Sequence, residues 1–279
     1  MARSVAWPLY SFAYLASYNV PMSDRIPNVV HLCYFGAGTF PLVHYLAVAS
    51  VHELNRPEAI YFYGDKEPTG PWWEKAKPYL KFVETEAPTE IYGVELEHLA
   101  HKADVVRLEK LIEHGGIYID MDVICARSFA PLLKHPLVLG EENYRGSTVG
   151  LCNAIIMAEP GAHFAKRWLE GFDPERSLWR GFRSKGYDQY YSELSVKYPK
   201  FLSTIYAEEI HVEPYTSFFN PSYAPESLEQ FFGSIDGNYA GAYAHHLWNN
   251  AQGDYLKDLT VETIKTTGSS FNMLARNYL

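Results

Sequence analysis

The stretch GGIYIDMDVICARSF, residues 115–129, constrains the fold of this chain more than any other. Its apolar and aromatic residues predict a buried strand, yet Asp120 and Asp122 lie within it. Because side chains alternate along a strand, the spacing predicts that both carboxylates point to the same face. Two adjacent carboxylates repel each other and resist burial, so this face must meet either water or a compensating cation.

Alternating strand and helix patterns surround this stretch. Val105, Leu108, Leu111 and Ile112 recur at helical spacing, and the following Gly115 is suited to end that helix. Strands are predicted from residue 26 and over 59–65, 136–143 and 151–160, with a short strand within 81–88. Further helices are predicted over 41–54 and 161–172. Strands that alternate with helices predict an α/β domain with a mainly parallel sheet.

The paired aspartates indicate a cation site. Ligands of open α/β sheets bind at the carboxyl ends of the strands, where Asp120 and Asp122 are expected. Closely spaced carboxylate oxygens suit Mg²⁺ or Mn²⁺, and the cation would remove their repulsion. The alternative is that the aspartates end the strand and contact water. Because the pair closes a helix–Gly-Gly–strand unit, we favour the metal site.

Asp104 and Arg107 lie three positions apart on the predicted helix before this strand, and therefore share one of its faces. An exposed ion pair of this kind contributes little to stability. Close to the aspartates, the same carboxylate and guanidinium could accept and donate hydrogen bonds to vicinal hydroxyls. The spacing alone does not choose between these interpretations.

The segment YAHHLWNN, residues 243–250, carries two adjacent histidines and a tryptophan. A histidine could complete a metal shell, and the Trp248 indole could stack on a base or sugar or donate to a phosphate. The alternative is a structural histidine beside a core tryptophan. Spacing leaves open whether His245 or His246 would face a metal.

Composition limits the partners and the compartment. The net charge of the 279-residue chain is −9, which is a poor match for nucleic acid. Cys33 and Cys125 lie in apolar runs and are expected to be buried thiols. Unpaired cysteines and the absence of an N-x-[ST] acceptor favour a cytoplasmic location. Residues 1–24 form an apolar segment before the domain of residues 25–279. This segment is the remnant of a membrane anchor, a segment that lies on a membrane surface, or a segment that packs on the domain.

Four motifs together carry a family resemblance. They are IPNVVHLCYFG from Ile26, HKADVVRLEKLIEHGGIYIDMDV from His101, GLCNAIIMAEPGAHF from Gly150 and YAHHLWN from Tyr243. In this order they resemble glycosyltransferase family 32, which includes fungal mannosyltransferases and α-1,4-glycosyltransferases. The resemblance covers roughly residues 25–253, and its most specific part is the spacing from Ala103 to Asp122.

The resemblance implies a GT-A fold, in which a Rossmann-like sheet binds a nucleotide sugar. It implies that Asp120 and Asp122 bind Mn²⁺ or Mg²⁺, and that a tail histidine such as His246 joins them. It further assigns Asn153 to the sugar and implies donor-binding roles for Tyr34, Phe35, Gly36, Asp104, Arg107, Tyr118 and Trp248. Many relatives have Trp where this chain has Tyr34.

The implied activity is metal-dependent transfer of a hexose, with retained configuration, from a UDP- or GDP-sugar to a glycan or glycolipid hydroxyl. The resemblance also implies a membrane-associated Golgi location, against the cytoplasmic alternative. A noncatalytic nucleotide-sugar- or glycan-binding protein on the same scaffold is the competing hypothesis. Because both aspartates and the tail histidine are present, we favour the enzyme.

Overall fold

The computed structural model describes residues 24–36 and 38–279, without the side chain of Gln252. A β-sheet forms the centre of the domain. The strands are β1 (Val29–Cys33), β2 (Ala59–Gly64), β3 (Lys81–Glu84), β4 (Glu90–Ile91), β5 (Val94–Glu95), β6 (Gly116–Ile119), β7 (Val123–Cys125), β8 (Leu137–Tyr144), β9 (Ser147–Ala158), β10 (His211–Glu213) and β11 (Ala244–His246). The helices are α1 (Leu42–Asn55), α2 (Pro71–Ala76), α3 (Leu99–His114), α4 (His163–Glu170), α5 (Tyr198–Ile205), α6 (Pro225–Gly233), α7 (Asn249–Lys257), α8 (Val261–Thr266) and α9 (Ser270–Ala275).

The central sheet has seven strands in the order β10–β8–β9–β6–β1–β2–β3. Strand β1 runs parallel to β2 and β6, β2 runs parallel to β3, and β10 runs parallel to β8. Only β9 is antiparallel to its two neighbours. The predicted α/β fold with a mainly parallel sheet is therefore confirmed, and the carboxyl ends of β1, β2 and β6 meet at one edge.

Both faces of this sheet are buried, because neighbouring residues of a strand project to opposite sides. Val30 and Leu32 pack on the side that also contains α1, whereas Cys33 packs with α3 on the other side. Cys33 and Cys125 are buried and unpaired, as the sequence predicts. The edge between these two cores is where the polar residues of the candidate site lie.

Two glycines set the junction between α3 and β6. Gly115 ends the helix with φ +64°, and Gly116 begins the strand with φ +112°. A Cβ on Gly116 would lie 2.5 Å from the Val29 carbonyl oxygen. The helix can therefore pass directly into the sheet, and the same short connection brings the aspartates to the end of β6 near α3.

The prediction of one continuous strand across the two aspartates is wrong. Strand β6 ends at Ile119, and β7 begins at Val123. The Asp120 N–H still continues the ladder by donating to the Ala154 carbonyl at 2.8 Å, but the Val123 N–H then donates back to the Asp120 carbonyl at 3.1 Å. This closes a turn. The two carboxylates therefore converge because the chain turns, not because strand side chains alternate.

The predicted N-terminal apolar segment, residues 1–24, lies outside the described residues except for Asp24. Within residues 24–36 and 38–279, no helix is both long and apolar enough to cross a membrane.

We predict that Gly116→Ala lowers the free energy of unfolding by about 2 kcal/mol or more, because the new Cβ meets rigid backbone at a positive φ. The matched control is Gly268→Ala, since Gly268 has no atom within 4 Å of an added Cβ. Urea denaturation of both variants measures the difference. Equal midpoints for the two variants would contradict the role given to this junction.

Candidate active site

A buried guanidinium organises the polar edge of the sheet. Arg107 on α3 places Nη2 3.2 Å from Asp104 Oδ1 and Nη1 3.2 Å from Asp120 Oδ1. Nη1 also donates to the Asn153 carbonyl at 2.7 Å, and the guanidinium lies 4.3 Å from the centre of the Tyr118 ring. The Arg107 side chain is only 5% exposed. Asp104 and Arg107 therefore form a buried pair at the site and not an ordinary surface ion pair.

The carboxylates around this guanidinium have further partners. The Asn153 side-chain amide donates to Asp104 Oδ1 at 2.7 Å, and the Tyr118 hydroxyl donates to Asp120 Oδ1 at 2.6 Å. Burial raises the pKa of Asp120 above its ordinary value, although Arg107 opposes that shift. Tyr118 itself is almost fully buried, so its hydroxyl contacts Asp120 from the protein core.

Asp122 belongs to a second group that is built by the tail of the chain. Strand β11 pairs with β7 and brings His246 Nε2 to 3.2 Å from Asp122 Oδ1. The Asn249 N–H donates to Asp122 Oδ2 at 2.8 Å. Burial alone would raise the pKa of Asp122, but His246 outweighs it and holds that pKa at about 2. Burial likewise lowers the pKa of His246, and Asp122 outweighs it and raises that pKa.

The structure separates the two adjacent histidines. They alternate along β11, so only His246 faces the aspartates. His245 Nδ1 instead donates to the Asn220 carbonyl at 2.6 Å. Burial lowers the pKa of His245 to about 4, which is the behaviour of a neutral structural histidine. His246 is therefore the histidine that could join a metal site.

Asp120, Asp122 and His246 offer one ligand atom each within 4.8 Å of one another. Counting Asp104 and Arg107, three carboxylates face one guanidinium, which leaves two excess negative charges when His246 is neutral. His246 Nδ1 is also buried without a hydrogen-bond partner among the described residues. A divalent cation fits this donor set, since it would balance the charge with oxygen and imidazole ligands.

The loop after β1 lies at the same edge of the sheet. The Tyr34 ring packs edge-on against His44, with 5.1 Å between ring centres. The Gly36 N–H donates to Asp65 Oδ1 at 2.9 Å, and Gly36 has φ +71°. The Phe35 side chain is buried in the core, so Phe35 presents its backbone and not its ring.

Trp248 packs behind His246, with 4.2 Å between ring centres. Its indole N–H donates to the Pro221 carbonyl at 2.7 Å. In this arrangement the indole supports His246, and its N–H is already used within the protein.

Two neighbours of the site were not predicted. Asp65 directly follows β2, and a carboxylate at the carboxyl end of a parallel strand was a usable signal. His44 lies in the first turn of α1, where Nδ1 is buried without a partner among the described residues. Its sequence position gives no comparable signal, because a single histidine in a predicted helix carries no motif.

Comparison with known proteins gives a matching family model. Residues 45–139 match the model described as "Glycosyltransferase sugar-binding region containing DXD motif". The matched range contains Asp104, Arg107, Asp120 and Asp122. Among solved structures, the apo form of the glycosyltransferase GlyE of Streptococcus pneumoniae TIGR4 is 12% identical with a TM-score of 0.48, over 90% of this chain and 60% of that one.

Two curated proteins are similar to this chain, one over most of its length and one over less than half. Glucan organizing enzyme 1 of Cryptococcus neoformans var. grubii is 32% identical over 271 residues, covering 91% of this chain and 71% of that protein. Mannosyl phosphorylinositol ceramide synthase CSH1 of Saccharomyces cerevisiae is 28% identical over 112 residues, covering 40% of this chain and 27% of that protein. The chain therefore belongs to the glycosyltransferase family whose sugar-binding region contains the DXD motif, and the predicted family membership is confirmed.

Proposed function

We propose that this glycosyltransferase is metal-dependent and moves a hexose from a UDP- or GDP-sugar to a hydroxyl of a glycan or glycolipid. The observation that carries the proposal is the contact of two groups at one edge of the sheet. One is the possible cation site of Asp120, Asp122 and His246. The other is the buried pair of Asp104 and Arg107, which touches the first group through Asp120.

In this proposal Asp120, Asp122 and His246 hold Mn²⁺ (or Mg²⁺), which when bound would stabilise negative charge on the departing nucleoside diphosphate. Arg107 fixes Asp120 by a contact of 3.2 Å, and Tyr118 fixes the same oxygen by its hydroxyl. The Asn249 N–H fixes Asp122. These contacts hold the carboxylates in position before a ligand arrives, so little reorganisation is needed on binding.

Asp104 and Asn153 are the proposed partners of the donor sugar. Asp104 is an acceptor and the Asn153 amide is both donor and acceptor, which matches the needs of sugar hydroxyls. Their mutual hydrogen bond of 2.7 Å and the contact of Asp104 with Arg107 leave little freedom of orientation. Arg107 uses most of its N–H groups on the protein, so we assign it mainly a positioning role beside the sugar.

The loop after β1 is the proposed site of the nucleobase. The partly buried Tyr34 ring and the backbone of Phe35 and Gly36 lie at the carboxyl end of β1, where open α/β sheets bind nucleotides. Trp248 stays in the proposal as a residue that supports His246, and its indole N–H could donate to the donor only if its bond to Pro221 breaks.

Two relatives support the choice of acceptor. Their names refer to glucan and to mannosyl phosphorylinositol ceramide, a glycan and a glycolipid that carry free hydroxyls. For this chain we therefore propose an acceptor hydroxyl on a glycan or glycolipid, with residues 25–279 as the catalytic domain. Contact of the N-terminal segment with a membrane remains part of the same proposal.

We further propose that the anomeric configuration is retained. This rests on the resemblance to glycosyltransferase family 32. Proton NMR of a freshly formed product tests it, because the coupling constant of the anomeric proton reports the configuration.

We predict that Asp122→Asn weakens Mn²⁺ binding at least about 100-fold, because it removes a charged ligand and the partner of His246. Isothermal titration of Mn²⁺ measures the affinity, and thermal unfolding checks that the variant is folded. Asp258→Asn is the matched control, since Asp258 is exposed beyond α7. An Asp122→Asn affinity within about threefold of the control would rule out this metal site.

We predict that Asp104→Asn weakens binding of the correct nucleotide sugar about tenfold or more, because a charged acceptor of sugar hydroxyls is lost. Binding of the bare nucleoside diphosphate should change much less. Isothermal titration in Mn²⁺ with both ligands gives the two ratios. Equal losses for the two ligands would contradict the assignment of Asp104 to the sugar.

A further inference from the structure

A group of three aromatic rings, one exposed and two half-buried, lies at the start of α3, beside the candidate site. The Tyr187 side chain is 69% exposed, although its ring lies 4.6 Å from His98 and 4.6 Å from Tyr191. Tyr191 also contacts His98, with 5.5 Å between ring centres. We call these three residues the tyrosine platform. An aromatic ring that is packed against others and still turned to solvent is typical of a binding surface.

The tyrosine platform is held by a polar turn. The Asp188 carboxylate accepts hydrogen bonds from the Lys185 N–H at 2.7 Å, the Tyr190 N–H at 2.8 Å and the Ser184 hydroxyl at 3.0 Å. Lys185 Nζ also lies 3.0 Å from Glu97, just before α3. The turn that carries Tyr187 is therefore fixed at both of its ends, and the ring loses little conformational freedom when it binds a ligand.

The tyrosine platform is adjacent to the proposed sugar-binding residues. His101 Nε2 on α3 donates to the Tyr191 carbonyl at 3.1 Å. Asp104 follows three residues later, which is about 4.5 Å along a helix. Burial raises the pKa of Tyr191 most, and the neighbouring Tyr187 and then the charge of Asp104 add smaller contributions in the same direction.

We propose that the tyrosine platform binds a pyranose ring of the acceptor saccharide, which stacks its C–H face on Tyr187. The inference rests on the proposed function and names the acceptor side of that site. The platform lies at the start of α3, before Asp104, whereas Tyr34 and Asp65 follow β1 and β2 on the nucleotide side. The two regions meet at Gly36, where an added Cβ would lie 3.5 Å from the Leu99 side chain, so the acceptor saccharide on Tyr187 would lie next to the bound donor.

The surroundings of the tyrosine platform favour a sugar over an acyl chain. Gln189 is exposed next to Tyr187 and can bond to hydroxyls, whereas Lys185 and Asp188 already hold the turn. A lipid chain would need a larger continuous apolar surface than one exposed ring. The acceptor group that contacts Tyr187 is therefore a saccharide, whether it belongs to a free glycan or to a glycolipid head group.

Saturation-transfer NMR on the full chain tests this without turnover. The probes are neutral disaccharides of glucose or mannose, namely laminaribiose, maltose and mannobiose, at millimolar concentration. The proteins are wild type, Tyr187→Ala and Tyr187→Phe, with Tyr92→Ala as the control, because Tyr92 is an exposed tyrosine in the turn between β4 and β5. We expect transfer to the C–H protons of one pyranose face in wild type, Tyr187→Phe and Tyr92→Ala. We expect about tenfold weaker binding in Tyr187→Ala.

Two results would overturn the proposal: no transfer from the wild-type protein to any of the three disaccharides, or equal transfer from Tyr187→Ala and wild type. Titration of UDP and GDP with Mn²⁺ into the same proteins separates this from the proposed function. If the wild-type protein binds neither UDP nor GDP, the proposed donor site is contradicted. The NMR signal alone tests whether the tyrosine platform binds a saccharide.

Discussion

The buried guanidinium of Arg107 is the interaction on which the site depends. It joins helix α3 to the end of β6 through Asp120 and to β9 through the Asn153 carbonyl, and it also neutralises Asp104. Removing one partner of a buried ion pair costs about 3–5 kcal/mol, because the remaining charge is left uncompensated. The buried Asp104 and the half-buried Asp120 can therefore stay charged at the edge of the sheet only while this guanidinium is in place.

Arg107 balances only part of the charge. Asp122 is stabilised separately by His246, which β11 contributes from the far end of the chain. The result is two acidic groups that touch, one fixed by a guanidinium and one by an imidazole. Two excess negative charges this close together repel each other and raise the free energy of the site. A bound divalent cation would remove that repulsion. This is the physical reason for assigning the metal and the leaving diphosphate to the same place.

The sequence predicts the elements well because their signals are local. Periodic apolar residues marked α3, and Gly115 marked its end, as the structure confirms. The turn between Asp120 and Asp122 was missed, because the apolar residues on both sides continue a strand pattern. The contact of Asp122 with Asn249 spans 127 positions, and no local pattern reports it. The choice between His245 and His246 needed the pairing of β11 with β7, and the exposure of Tyr187 needed the packing of its turn on α3.

The most direct test of the account is release of nucleoside diphosphate from a panel of UDP- and GDP-hexoses by the purified protein in Mn²⁺. The account predicts release from at least one donor, and loss of that release on chelation of the metal with recovery when Mn²⁺ is returned. Release that continues unchanged after chelation would contradict the metal assignment. No release from any donor, with glycan and glycolipid acceptors supplied, would contradict the proposed reaction.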